Sequence, residues 1–500
     1  MEKERTMSKI LMFPWLAHGH IFPYLELAKR IIKRKNFYIY FCSTSINFSS
    51  IKNFIENFFL NNSIELVEIH LKPSPELPPH YHTTKNLPSN LNSTLLKAFQ
   101  TSSSSFSDIV SILKPDLVIY DYFQPWSAKI ASLQGIPAVH FVVTSAATAS
   151  FIYHHYANWD ANFPFQELTI KEDEKKSIDN LIEFVYTNVF EKDKDIFFVN
   201  YKLSCDVVIC KTSKGLEGKY IDYISNECKK DIIPVGPLVS DASEIDEESL
   251  EILKWLNTKP KYSTLYISFG SEYFLSKEEI GEIAKGLELC SVNFIWVIRF
   301  PVGETVNIEE ALPRGFLEGV KERGKILEGW APQANILAHE STGGFMSHCG
   351  WSSINESLYF GVPVIGMPMR IDQFISSKML GEAGVCVEVV RNENEVFKGE
   401  EIAKAIIKVI LENLNGEEFR RRARELSEEM KIEEEQAIDE TTELLWRLSS
   451  QQFFFLGIHL HNYLLPWHHP TAPLIPTKQL IPTKQLTTKI PFPLNPTLAS

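Results

Sequence analysis

Five hundred residues exceed what one hydrophobic core ordinarily organises, so length alone predicts two domains. Hydrophobic residues at 44% and charged residues at 23% are ordinary globular values, which argues against a largely disordered chain. A net charge of -13 argues against a nucleic-acid partner, whose phosphates need clustered Lys and Arg, and disfavours an anionic membrane surface.

The N-terminus MEKERTMSKILMFPWLAHGH has too short an apolar run, followed by His18 and His20, to predict a secretory leader. No segment reaches the roughly 20 apolar residues of a membrane helix, so stable membrane insertion is not expected. Scattered cysteines, from Cys42 to Cys386, fit neither a disulfide framework nor a zinc pattern. The chain therefore reads as cytoplasmic.

Short β-branched or aromatic runs alternate with helical patterns, which predicts an α/β chain built from βαβ units on parallel sheets. The strands expected first are Ile10 to Pro14, Phe37 to Cys42, Ile64 to His70, Asp116 to Tyr120, Ala138 to Val142 and Val207 to Cys210. A second series comprises Thr264 to Phe269, Phe294 to Ile298, Lys325 to Leu327, Gly344 to Ser347, Val362 to Gly366 and Val385 to Val390. Between them, PVGPLV and SDASEIDEESLE have the composition of a linker. The expected division is a first domain over 1–238, a linker over 239–250, a second domain with terminal helices over 251–450, and a disordered tail over 451–500. The charge-rich stretch 416–448 reads as surface helices, the last docking through Leu444, Leu445 and Trp446. The tail is set apart by frequent Pro and a repeated IPTKQL hexamer.

From Trp330 to Gln373 the sequence is WAPQANILAHESTGGFMSHCGWSSINESLYFGVPVIGMPMRIDQ. GGFMSHCGWSS reads as a strand entering a helix, which would turn backbone N–H groups and the positive helix end toward an anion at His348 to Ser353. Glu356 lies four residues after Ser352, on the same helix face. Upstream, YISFGSEYFLSKEE places Gly270 and Ser271 at a strand's C-terminal end, where doubly wound sheets hold ligands. Ser271 is either a phosphate ligand there or an N-cap for the next helix.

The box resembles the signature of plant family-1 UDP-glycosyltransferases. That resemblance implies a GT-B fold, two Rossmann-like domains facing across a cleft, and UDP-glucose as donor with no cofactor or metal. It also implies donor contacts: His348, Ser352 and Ser353 on the phosphates, Glu356 on the ribose, and Trp330 stacked on uracil with Ala331 and Gln333 beside it. Asp372 and Gln373 would hold the sugar hydroxyls, and Gln373 with Trp351 favours glucose. Ser352 stands where the family most often has Asn, so one phosphate contact is shorter.

Transfer to a hydroxyl needs a base for the acceptor proton and stabilisation of the departing diphosphate. His20, in LAHGHIFPYLELAKR, resembles the family's catalytic histidine, whereas the spacing of His18 to Pro23 does not match. An imidazole that takes a proton benefits from a carboxylate. Asp121, ending the strand DLVIYD, fits that task, while Asp116 begins the same strand and reads as a turn residue. Thr144, in HFVVTSAAT, resembles a position that touches the transferred sugar; it also reads as an ordinary strand-end threonine. The Asp193 and Asp195 pair sits among lysines and reads as a solvated turn, not a metal site.

Tyr122, Phe123 and Trp126 offer an aromatic wall for the acceptor. FCSTSINF, IYDYFQPW and FGSEYFLSKEEI resemble the branch that adds sugar to an existing glycoside, so the expected acceptor is a flavonoid or terpenoid glycoside, with an aglycone as the alternative. A dehydrogenase is disfavoured because no GxGxxG follows the first strand. A non-catalytic UDP-sugar-binding protein would lack His20 and Asp121.

Overall fold

In the computed structural model the described residues are 7–450, except 86, 158–160, 172–173, 175, 177–195, 241–246, 272 and 301–306. The anticipated tail, half of the acidic linker and the Asp193 and Asp195 pair lie outside them.

Two all-parallel sheets carry the fold. The first comprises β1 (Ser8–Phe13), β2 (Phe37–Ser43), β3 (Ile64–Glu68), β4 (Leu117–Tyr120), β5 (Ala138–Val142), β6 (Val207–Cys210) and β7 (Asp231–Pro234), in the order β3-β2-β1-β4-β5-β6-β7. The second comprises β8 (Thr264–Ser268), β9 (Asn293–Ile298), β10 (Gly324–Glu328), β11 (Thr342–Ser347), β12 (Val364–Gly366) and β13 (Cys386–Glu388), in the order β10-β9-β8-β11-β12-β13. Their central strands are largely apolar because both faces are covered: β4, β5, β6 and β8 are buried at every residue.

β7 is not among the expected strands. It is four residues long, lies at the sheet edge and ends in Pro234, whose missing N–H is tolerated there. The strand pattern is otherwise recovered with shifts of no more than two residues at the ends.

Strand order reverses between β1 and β4 in the first sheet, and between β8 and β11 in the second. Connections diverge to opposite faces at such a switch point and leave a crevice beyond the strands' C-terminal ends. The segments that follow β1, β4, β8 and β11 carry His20, in the first turn of a helix, Asp121, Gly270 with Ser271, and His348. Within each sheet topology thus brings together residues that sequence separates, His20 with Asp121 and Gly270 with His348.

Apolar clusters cover both faces of each sheet. A further one joins the two halves, packing Val208, Cys210 and Tyr220 with Trp351, Ile354 and Met379.

The stretch expected to form surface helices is one 38-residue helix, Asn413–Ser450. Ala423 and Met430 enter the seam, and Ile438, Leu445 and Leu448 enter the core of the first sheet. Four of these positions, Ala423, Met430, Ile438 and Leu445, recur every seven or eight residues and form a narrow stripe that average composition conceals. The helix therefore returns from the second half to the first, with Trp446 against Phe37 at a 5.4 Å ring separation. Among the described residues no helix is long and apolar enough to cross a membrane.

Candidate active site

His20 and Asp121 meet where β1 and β4 end. β1 runs into helix His18–Ile32, whose first turn holds His20, and Asp121 directly follows β4. His20 Nδ1 lies 2.7 Å from Asp121 Oδ2, which also accepts the Trp15 N–H at 2.9 Å; Asp121 Oδ1 accepts the Tyr122 N–H at 2.7 Å. The carboxylate is 1% exposed and the imidazole 25%. Burial pushes the Asp121 carboxyl up, but the attraction and hydrogen bond of His20, with the two amide donors, outweigh it and leave the group below the usual carboxylate range. An anion fixed by three donors can orient the ring and answer a positive charge on it.

His18 stands in a different environment. It is buried, its Nδ1 has no hydrogen-bond partner, and burial with nearby Lys85 and Arg299 lowers its pKa to about 4. Asp116 is at the opposite end of β4, accepting the Lys9 N–H at 2.8 Å. Of the aromatic residues near Asp121, Phe123 faces His20 with ring centroids 6.2 Å apart. Trp126 turns inward, its ring packed on Phe13 and Phe106 and its Nε1 donating to Gln100 Oε1 at 2.9 Å. Thr144, two residues beyond β5, has a buried hydroxyl with no partner.

Across the seam, β11 leads through His348, Cys349 and Gly350 into helix Trp351–Tyr359. Cys349 holds a positive φ of 65°, the kind of backbone strain that persists where surrounding structure demands it. Gly270, at φ 75°, and Gly350 are required by close approach: a Cβ would stand 2.7 Å and 2.5 Å from the His348 ring. The imidazole is thus wedged between two glycine backbones. Burial and Arg370 lower its pKa to about 4, which keeps it neutral, and its Nδ1 has no partner.

Gly350 gives the helix start no side-chain cap. The first-turn N–H groups are therefore left without an N-cap side chain to accept from them. Ser271 follows Gly270 at the end of β8, and the N-cap role belongs to Ser276, which forms a capping box with Glu279.

Gln333 opens helix Gln333–Ala338, and its Nε2 donates to Glu356 Oε2 at 2.8 Å and to Ser353 Oγ at 3.4 Å. Burial raises the Glu356 pKa against the opposing effects of Gln333 and Lys211. Trp330 is 67% exposed, an open aromatic face beside buried Ala331. The Trp351 indole instead turns into the seam, its Nε1 donating to the Lys211 carbonyl at 2.7 Å.

Asp372 and Gln373 lie in the first turn of helix Ile371–Glu382. Gln373 Oε1 accepts the N–H groups of Met369 and Arg370, each at 2.9 Å, which leaves its amide as donor. Among the described residues no group of three His, Cys, Asp or Glu side chains converges on a metal position.

One residue escaped the sequence reading. Lys211 follows β6 as Asp121 follows β4, and its Nζ donates to Ser352 Oγ at 3.0 Å. The available signal was a charge immediately after the apolar run VVIC.

The family model described as "UDP-glucoronosyl and UDP-glucosyl transferase" matches residues 114–429, more than half the chain. UDP-glucosyltransferase 29 of Panax ginseng is 46% identical over 457 residues, 90% of this chain and 99% of that protein. A beta-D-glucosyl crocetin beta-1,6-glucosyltransferase of Gardenia jasminoides is 45% identical over 443 residues, 88% of this chain and 99% of that protein. Among solved structures, a Polygonum tinctorium UDP-glucosyltransferase capable of glucosylating indoxyl, in complex with 3,4-dichloroaniline, superposes with a TM-score of 0.71 at 26% identity. It covers 89% of this chain and 100% of that one.

Proposed function

The chain belongs to the UDP-glucoronosyl and UDP-glucosyl transferase family, a family of enzymes with this GT-B fold, and we propose that it moves glucose from UDP-glucose to a sugar hydroxyl of a small plant glycoside. The observation that carries the chemistry is the 2.7 Å contact between His20 and a buried Asp121 at the first switch point.

In the proposed reaction the acceptor hydroxyl gives its proton to the imidazole nitrogen not bonded to Asp121. The acceptor oxygen forms a bond to the anomeric carbon while the bond from that carbon to the phosphate oxygen breaks. Its electron pair leaves on UDP. Attack opposite the leaving group inverts the anomeric centre, and Asp121 stabilises the transient imidazolium until its proton returns to solvent. His348, Ser352, Ser353 and the first-turn N–H groups would receive the diphosphate, with Glu356 and Gln333 toward the ribose and Trp330 on uracil. Asp372, the Gln373 amide and Thr144 would contact the transferred sugar. No metal takes part in this scheme, and the reaction is placed in the cytoplasm.

The Gardenia relative, named for extending a glucoside, supports the glycoside acceptor. The test pairs flavonoid and terpenoid aglycones with their monoglucosides, using UDP-glucose with and without EDTA. Faster turnover of the monoglucosides, unaffected by EDTA, is expected. Faster turnover of aglycones would reject the glycoside acceptor, and loss of activity in EDTA restored by Mg2+ would reject the metal-free route.

A further inference from the structure

We propose that Lys211, reaching across the seam from the first sheet, binds the donor diphosphate and neutralises it as it departs. This rests on the UDP-sugar reading above and adds a catalytic residue to it.

The backbone of Lys211 is held from both sides. Its N–H donates to the Val142 carbonyl at 2.8 Å, and its carbonyl accepts the Trp351 indole N–H at 2.7 Å. The side chain is 3% exposed, and its ammonium ends 3.0 Å from Ser352 Oγ, in the first turn of the uncapped helix Trp351–Tyr359. Among the described residues Lys211 forms no ion pair.

The surrounding acids have other commitments. Glu26 pairs with Lys29 at 2.8 Å, Glu434 pairs with Arg30 at 2.9 Å, and Glu356 accepts from Gln333. Burial lowers the Lys211 pKa to about 8, with Glu356, Glu26 and Glu434 opposing the fall. The group is therefore mostly charged at neutral pH. A buried ammonium without its own counter-ion is costly unless an anion arrives to answer it.

The direction of the side chain identifies that anion. It ends at a hydroxyl beside the helix start, where backbone N–H groups favour negative charge. A diphosphate there would accept from Lys211 Nζ and from the helix start together. When the bond to the anomeric carbon breaks, the electron pair settles on the leaving phosphate oxygen. Lys211 keeps its proton throughout and supplies charge only.

The experiment compares UDP with uridine by titration calorimetry on the full chain, as wild type, Lys211→Met and Lys211→Arg. The methionine variant should bind UDP about 10- to 100-fold more weakly, the range of one charge-assisted hydrogen bond, while uridine affinity is unchanged. Arginine should restore part of the loss. At pH 8, wild type should take up about half a proton on binding UDP, measured across buffers of different ionisation enthalpy, because the bound anion re-protonates the lysine. The methionine variant should take up none.

Equal losses for UDP and uridine, or no proton uptake by wild type, would overturn the proposal in favour of a lysine that only pins the seam. The proton measurement stands even if the methionine variant fails to fold. If wild type bound neither UDP nor uridine, the donor reading itself would fall, and the lysine's role with it.

Discussion

At the edge of the first sheet both oxygens of Asp121 are engaged by protein donors, and His20 is already oriented. At the edge of the second sheet the polar groups are less settled: His348 Nδ1 has no partner, while Gln333 and Glu356, proposed above to face the ribose, bond each other. The difference follows from what each edge must do. A base and its carboxylate work on one proton and gain from fixed geometry, so residues of one sheet can complete them internally. A donor cradle must instead exchange its own contacts for those of a ligand, and groups fully satisfied by the protein would oppose binding.

The sharpest way to break this comparison is to remove the base. His20→Ala should lower kcat by about 100-fold or more and leave UDP affinity unchanged, read by initial rates and by calorimetry. Asp121→Asn should fall in the same direction, and the double variant should lose little more, since the pair acts as one unit. If either substitution weakened UDP binding as much as turnover, the two edges would not be separable.

Glu356→Ala tests the cradle. It deprives the donor of a charged acceptor and should raise the KM for the UDP-sugar by about 10-fold, with a smaller change in kcat. A lower kcat at unchanged KM would move Glu356 from holding the donor to the chemical step.

A smaller effect probes the first edge from beneath. Glu217 accepts the N–H groups of Ala146 and Ala147 at 3.0 and 2.8 Å, at the start of the helix that follows Thr144. Burial raises its pKa to about 7 against the bonds from Thr212, Ala147 and Ala146. The folded chain therefore keeps a proton that the unfolded chain releases near pH 4.3. Its contribution to stability is full below that pH and is lost as pH rises through about 7. The Tm of wild type should fall between pH 5 and 7.5 by an amount that Glu217→Gln lacks; parallel curves would show that Glu217 does not titrate in this range.

Much of this molecule is local and can be read along the chain. The strands of both sheets are apolar runs bounded by polar turns, because strands covered on both faces have no polar side to present. The Trp330 to Gln373 box and the GHIFP segment are contiguous, so their residues could be named without a fold. The long final helix was anticipated only at its end, where Leu444, Leu445 and Trp446 dock as expected; its inner stripe of Ala423, Met430 and Ile438 was missed because acids and bases on every other face dilute it. The roles of Trp351 and Lys211 were beyond reach for a related reason: the indole and the ammonium meet partners 140 and 141 positions away, across a seam that no local pattern encodes.

By itself, the sequence determined that the chain is α/β, that its second half holds a nucleotide-sugar box, and that His20 and Asp121 are the residues to bring together. The first follows from periodicity, which acts over a few residues; the box and the pair follow from contiguous motifs that resemble those of the glycosyltransferase family. Only the tertiary structure decided that the pair meets at 2.7 Å, that Trp351 faces the seam, and that Lys211 stands at Ser352. Such distances depend on where strand order reverses and how the two halves pack, and that is fixed by the burial of whole faces rather than by any one segment.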